Sequence, residues 1–456
     1  MEWRGSGHVT VAERADFVPR APERLEDLGL SAEFVIELLL RTLYVQGARN
    51  GQELSEAVRI PFILLDDLLL SLQQRRLAEV LGTNGVGRGA YIFDLTDTGR
   101  GRAREAMMTA RYVGPAPVPL AQYSDAVRAQ SISHAQVDAQ SVKDGFAWLV
   151  LGDSTLDLLG PAINSAKSIF LYGESGNGKS AIAETISRLL GGSLMIPYAV
   201  EVHGEILGLF DPIYHSVISE PATESSERTF WIGSEDDYDR RYVRIKRPVV
   251  LTGGELTLDQ LELQYDMETK LYQAPFQMKA NGGVLIVDDF GRQRVPPRDL
   301  LNRWIVPLEK REDYLALHTG SKFPIPFDCL LIFATNIPPT QLVEEAFLRR
   351  IHYKVRVESP TVEQYQLIFR RYCEEAEIAY DPQAVGQVYR DYYGPYRIAP
   401  RGCHPRDILE HLRDIASYLQ MPPALSPALV DRACRSYFLD FPTALRQDAS
   451  SNGGVE

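Results

Sequence analysis

The amino-acid sequence predicts an α/β core with a parallel sheet covered by helices on both faces, preceded by a small α+β module and followed by a helical lid. Three observations carry that expectation. The apolar run SIFLY at 168–172 leads straight into a glycine-rich loop and then a helical pattern. Two further near-continuous apolar runs follow, GVLIVDD at 283–289 and CLLIFATN at 329–336. Strands buried on both faces read as unbroken apolar runs, whereas strands with one wet face alternate. From Thr361 on, the periodic segments are all helical.

Residues 1–30 are polar, aperiodic and proline-containing, which predicts a mobile arm. Residues 31–112 form the first module. SAEFVIELLLRTLYVQG is an amphipathic helix, Asn50 caps a short second helix, and Pro61 opens a third, FILLDDLLLSLQQRRL. AEVLG and AYIFDLT read as partner strands across the turn-rich GTNGVGRG, and Thr96 or Asp97 caps a last helix. Val113 to Asp125 carries three prolines and is expected as an extended linker. The core is expected over 126–358, opening with a helical segment from Ala126 to Val150. After the glycine loop come the helix AIAETISRLLGG and a second strand, SLMIPYAVEV. A long excursion then runs to Ala280, in which RTFWI and YVRIKRPVVL read as a hairpin about the acidic turn GSEDDYD. Pro297 to Leu308 is helical. Residues 359–446 form the lid, and 447–456 a disordered tail.

Charge and cysteine content narrow the function classes. The 456 residues carry 61 acidic against 48 basic groups, a net charge of −13. That balance argues against bulk nucleic-acid binding, which neutralises phosphates with Lys and Arg. The four cysteines, Cys329, Cys373, Cys403 and Cys434, form no CxxC pair and no zinc spacing with histidine. They read as free thiols in a reducing cytoplasm. The N-terminus lacks the apolar core of a signal peptide. The longest candidate for a membrane span, Pro61 to Leu72, is broken by Asp66 and Asp67 and falls short of the ~18 residues needed. A cytoplasmic protein is therefore expected.

Gly173-Glu174-Ser175-Gly176-Asn177-Gly178-Lys179-Ser180 fits G-x-x-x-x-G-K-[ST], between an apolar strand and a helix as the motif demands. A polyphosphate needs donors closer than most side chains reach. Glycines let backbone N–H groups curl around it, and the helix N-terminus adds its positive end. Gly173, Ser175, Gly176, Asn177, Gly178, Lys179 and Ser180 are the expected ATP-binding residues. Lys179 reaches the β- and γ-phosphates, and the Ser180 hydroxyl serves Mg2+. The bland alternative is a glycine-rich turn with a surface lysine.

GVLIVDD ends a buried strand in two acids, which would emerge at the C-terminal sheet edge beside the phosphate loop. Asp288 would hold Mg2+ through water, and Asp289 would orient the attacking water. The alternative is a strand followed by an Asp-rich turn.

With these residues in place the chain resembles the AAA+ superfamily of P-loop NTPases from Gly160 to Pro442. LLIFATN ends in Asn336, matching that family's sensor-1 polar residue at the γ-phosphate or its water. AFLRRI presents Arg349 and Arg350 where the family places arginine fingers, and either one suits the role. HPRDIL opens a lid helix with Arg406 at the sensor-2 position. VPLEKREDYLALHTGSKFPIPFD resembles a β-hairpin inserted before the sensor-1 strand, as in the branch containing MoxR-type ATPases and bacterial enhancer-binding proteins. The GAFTGA loop of the latter is absent, so their partner is not carried over. Asp289 stands where the family has glutamate, one methylene longer, so slow hydrolysis is a possible consequence.

The resemblance implies an ATPase ring, a hexamer of this chain, acting on a protein client in the manner of MoxR-like chaperones. Such rings grip clients with a loop after the second strand. Here that loop lies between His203 and His215, with Leu209 and Phe210 as candidates, or as core residues instead. The first module resembles a winged helix, which suggests DNA. Its third helix, however, is apolar and acidic, and ten arginines balance ten carboxylates between Ser31 and Tyr112. A protein-interaction or oligomerisation module is the favoured reading. An ATP-dependent DNA-binding regulator using Arg88, Arg100, Arg102 and Arg104 is the second, and a slowly hydrolysing ATP-bound scaffold the third.

Overall fold

The computed structural model describes residues 17–218, 238–342 and 348–438. At its centre is a five-stranded, fully parallel sheet. In spatial order the strands are Val249–Thr252, Val284–Val287, Leu330–Thr335, Ser168–Tyr172 and Tyr353–Arg356. Alternate side chains feed two cores. Ile169, Leu171, Ile286, Leu330 and Ile332 pack with Leu159, Ile163, Ile182 and Ile186, from helices Asp153–Asn164 and Lys179–Leu190. Phe170, Leu285, Val287, Leu331 and Phe333 pack with Leu300, Leu301 and Trp304 of helix Pro297–Lys310. The three central strands are thus buried on both faces, which is why their sequences do not alternate, whereas burial alternates along the edge strands Val249–Thr252 and Tyr353–Arg356. A parallel sheet covered on both sides, with the glycine loop joining a central strand to a helix, is the P-loop NTPase fold.

The second strand expected from SLMIPYAVEV is not in this sheet. It divides at Pro197. Ser193–Pro197 pairs antiparallel with Tyr242–Lys246. Ala199–Val202 joins a second five-stranded sheet with Val118–Pro119, Glu205–Gly208, Leu271–Gln273 and Gln264–Asp266. YVRIKRPVVL divides likewise at Pro248, and its second half takes the edge of the parallel sheet. Proline cannot donate to a ladder, so each marks where the chain changes partner. The RTFWI half of the expected hairpin lies outside the described residues. The hairpin expected before Cys329 is present, Glu312–Ala316 against Lys322–Pro326. Its Leu315, Phe323 and Ile325 share a core with Leu194, Val200, Leu207, Ile245 and Tyr123. Hairpin and excursion therefore form one inserted lobe.

The proline-rich stretch is shorter and less free than expected. Val118–Pro119 is paired with Val200 and Glu201, and a helix begins at Leu120 and ends at Ala129. The helical segment expected to reach Val150 is thus broken, resuming as Ala139–Gly145. The expected arm is packed from Phe17 on: Leu28 is fully buried and Arg20 bridges Tyr238. Residues 1–16 and the expected tail fall outside the described residues.

The first module holds helices Ala32–Gln46, Gly51–Val58 and Phe62–Gln74, a small antiparallel sheet, and helix Asp97–Thr109. The helix starts follow from local chemistry. Ser31 Oγ accepts from Phe34 N, Asn50 and Glu53 cap each other reciprocally, and Thr96 Oγ1 accepts from Gly99 N. At the other end of the chain, helices Val362–Glu375, Pro382–Val388, His404–Tyr418 and Pro427–Tyr437 enclose their own core.

A buried ion pair of the inserted lobe holds the segments on either side of the first module. Arg241 is 1% exposed and pairs with Asp239 at 2.7 Å. Its Nη1 also donates to the carbonyls of Leu28, at 2.9 Å, and Pro117, at 3.3 Å. Removing one partner of such a pair strands a buried charge and costs about 3–5 kcal/mol, whereas apolar replacement of both is far milder. Arg241→Ala is therefore expected to lower the unfolding midpoint more than the double change Asp239→Leu with Arg241→Met, as read by thermal unfolding of the full chain. Equal losses would show that the carbonyl contacts, not the charge, hold the junction.

Candidate functional site

Three adjacent strands deliver the site. Register pairs Thr335 with Tyr172 and Phe333 with Val287. Gly173, Asp288 and Asn336 therefore leave the sheet side by side at its C-terminal edge, where α/β sheets open a crevice. Asn336 is half-buried there. The loop conformation requires glycine at two places. Gly173 has φ +148°, and a Cβ on it would sit 2.1 Å from the Val357 carbonyl oxygen. Gly176 has φ +84°, and a Cβ there would sit 2.4 Å from Cys403 Sγ.

Lys179 and Ser180 start the helix that follows. The Lys179 side chain is nearly buried, and its Nζ donates to the carbonyls of Gly173 and Glu174, both at 3.0 Å. Burial lowers its pKa from the ordinary lysine value, opposed by the charges of Asp288, Asp289 and Glu174. Ser180 Oγ donates to Asp288 Oδ2 at 2.6 Å. This one bond joins the two sequence motifs, 108 residues apart. Hard oxygen donors of this kind suit Mg2+. Asp289 is exposed and carries a left-handed backbone, φ +47°. Its N–H donates to Asp288 Oδ1 at 2.8 Å.

Several contributors were not legible in the sequence. Gln293 is buried beneath the two aspartates and donates to both their carbonyls. The lid reaches the phosphate loop through residues 401–404. Cys403 N donates to the Gly176 carbonyl at 2.8 Å, Gly402 N donates to Asn177 Oδ1 at 3.1 Å, and Arg401 pairs with Glu174 at 3.5 Å. Asn177 Nδ2 also donates to Ser359 Oγ, where the lid begins. The only signal for this contact was the glycine at 176, which permits close approach. Arg406, by contrast, pairs with Asp407 and Glu410 on its own helix. Ser175 and Arg349 are exposed, and Arg350 pairs with Glu309. In the loop expected to grip clients, Leu209 is 2% exposed and belongs to the inserted core, and Phe210 packs on Tyr198 and His215. The apolar residue on the surface of that segment is Ile213.

A family model described as a domain of unknown function (DUF8689) matches residues 361–436, within the C-terminal helices. No curated protein matches the chain. Among solved structures the chain is similar to RuvB, the Holliday junction branch migration motor of Thermotoga maritima. The identity is 14% over 64% of this chain and 71% of that one, with a TM-score of 0.35. It is also similar to NtrX of Brucella abortus in complex with ATP, at 15% identity over 66% of this chain and 58% of that one, with a TM-score of 0.38. The fold stands on this chain's own strand order and loop geometry, not on these loose superpositions.

The lid strip at 401–404 is held from behind by a buried imidazole. His404 Nδ1 accepts from Arg401 N at 3.3 Å and lies 2.9 Å from the Tyr393 hydroxyl, which in turn meets Tyr365. Burial, reinforced by the Arg401 charge, pushes the His404 pKa from 6.5 down to about 4. With the folded value below the unfolded one, the unfolded chain takes up a proton first on acidification. Stabilisation from neutral His404 is complete above pH 6.5 and is lost as pH falls from 6.5 toward 4. His404→Gln is expected to flatten the thermal midpoint against pH across that window. A slope unchanged in the variant would assign it to other groups.

Proposed function

We propose that this chain binds ATP with Mg2+ at the phosphate loop, hydrolyses it, and works as a ring-forming AAA+ remodeller of a protein client. The observation that carries the reading is the Ser180–Asp288 hydrogen bond at 2.6 Å beside buried Lys179. It brings a phosphate-binding lysine, a metal-binding hydroxyl and a carboxylate to one sheet edge. Ser180 and Asp288 would hold Mg2+, which supplies charge neutralisation between the β- and γ-phosphates. Lys179 exchanges two carbonyl partners for phosphate oxygens. Asp289 orients the attacking water, and Asn336 holds it without adding charge. Asp289 is a short carboxylate for this task, which favours slow turnover.

The partner residues follow from where the lid and the sheet end. Arg401 is the lid arginine nearest the loop, already paired with Glu174, and is a stronger candidate to sense the nucleotide than Arg406. Either Arg349 or Arg350 serves as a finger toward a neighbouring subunit of a hexamer. Arg350 pairs with Glu309 at the surface, and a solvent-accessible pair of this kind is worth only about 0–1 kcal/mol.

The first module supports a protein partner over DNA. Arg88 pairs with Asp66, Arg100 with Asp94, and Arg102 with Glu37 and Glu105. Three of the four wing arginines thus have carboxylate partners within the module, while exposed Arg104 donates to the Arg100 carbonyl. Ile63 and Leu81, 78% and 60% exposed, give the module apolar contact area. A MoxR-like role in the cytoplasm fits these features.

Lys179→Ala is expected to abolish ATP binding and turnover, as read by nucleotide affinity and phosphate release. Asp289→Asn should keep binding while turnover drops by about 10²-fold or more, and should retain a client in pull-downs with ATP. Arg401→Ala should weaken nucleotide binding, whereas Arg406→Ala should leave it near the parent value. Turnover surviving Lys179→Ala would falsify the site assignment. Turnover untouched by Arg349→Ala and Arg350→Ala alike would remove the case for a ring.

A further inference from the structure

The turn that carries the two aspartates is closed by one buried amide. Gln293 is 8% exposed. Its Nε2 donates to the carbonyls of Asp288 at 3.1 Å, Asp289 at 3.3 Å and Gly253 at 3.4 Å. Its Oε1 accepts from Gly291 N at 2.7 Å. Between these bonds lies Asp289 at φ +47°, in the left-handed region, which is uncommon for residues bearing a Cβ though aspartate tolerates it better than most, so local hydrogen bonds decide whether it is held there. On the far side the turn is tied to the neighbouring strand. Phe290 N donates to the Ala334 carbonyl, and the buried Thr335 hydroxyl donates to the Phe290 carbonyl at 2.6 Å. The Asp289 peptide is thereby gripped from both sides.

We infer that Gln293 is a positioning residue, which holds Asp289 in the left-handed conformation and so aims its carboxylate at the attacking water. The inference rests on the reading of Asp289 as the group that orients that water. A glutamate could correct a misdirected backbone through an extra side-chain torsion. Aspartate has only two, so its carboxylate goes where the backbone points it. The missing methylene therefore makes backbone conformation the controlling variable, and Gln293 is the side chain that binds the carbonyls on both sides of the Asp289 N–Cα–C unit. A hydrophobic residue of the same size would fill the space and leave those carbonyls unsatisfied.

The test compares the full-length chain with Gln293→Leu, Asp289→Asn and the double variant, measuring steady-state turnover, affinity for a fluorescent ATP analogue and thermal midpoint. Gln293→Leu should lower kcat roughly ten- to hundredfold, the scale of a misplaced catalytic group, with nucleotide affinity unchanged. In the Asp289→Asn background it should cost nothing more, because it acts through that carboxylate. A merely structural role predicts the opposite, an equal loss in both backgrounds or a parallel loss of affinity, and either result overturns the proposal. So does wild-type turnover in Gln293→Leu while Asp289→Asn is impaired. Full turnover in Asp289→Asn would instead remove the underlying reading, and the proposal with it. If Gln293→Leu lowers the thermal midpoint, Gln293→Glu decides, since it keeps the size and the Gly291 bond but cannot donate to the two carbonyls.

Discussion

The ammonium of Lys179 is nearly out of water, and its two hydrogen bonds go to main-chain carbonyls rather than to a carboxylate. Carbonyl dipoles satisfy the donors but do not cancel the charge, and a buried cation in that state favours an incoming anion. Much of the site can be understood as a response to it. The glycines keep the loop backbone open, the helix begins at the lysine itself, and three carboxylates stand at longer range and oppose the lowering of its pKa by burial. The sheet is what brings them there, because a parallel register sends the ends of adjacent strands to one edge.

Around that centre the molecule is tied together by contacts that sequence distance conceals. The lid touches the phosphate loop through main-chain bonds to Gly176 and Asn177, so a ligand entering the loop meets the lid at once. The segments flanking the first module are fastened to the inserted lobe by Arg241, and the lobe shares the hairpin that precedes the Leu330–Thr335 strand.

Local signals were legible wherever a short stretch decides its own structure. The Asn50 cap, a last helix starting at Thr96 or Asp97, the strand–loop–helix around Lys179, the carboxylates ending the Val284–Val287 strand and the late hairpin could all be placed from the residues. Partner choice was not legible. SLMIPYAVEV is apolar enough for the parallel sheet, yet Val249–Thr252 occupies that edge, and nothing in either run names its neighbour. Leu209 looked as suitable for an exposed loop as for a core, and only the inserted lobe buries it. Arg401 and Arg406 lie five positions apart on one polar stretch. Which of them reaches the phosphate loop depends on how the lid docks.

The sequence by itself determined the chemistry on offer: a glycine loop that accepts phosphate, a lysine and a serine at its end, and two acids at the end of a buried strand. These are properties of residue type and near-neighbour spacing, and they survive without knowledge of the rest. The tertiary structure decided which groups meet. It joined Ser180 to Asp288, set Gln293 beneath Asp289, and laid Cys403 against Gly176. Contacts of that kind depend on sheet register and on the packing of distant helices, and no local pattern encodes them.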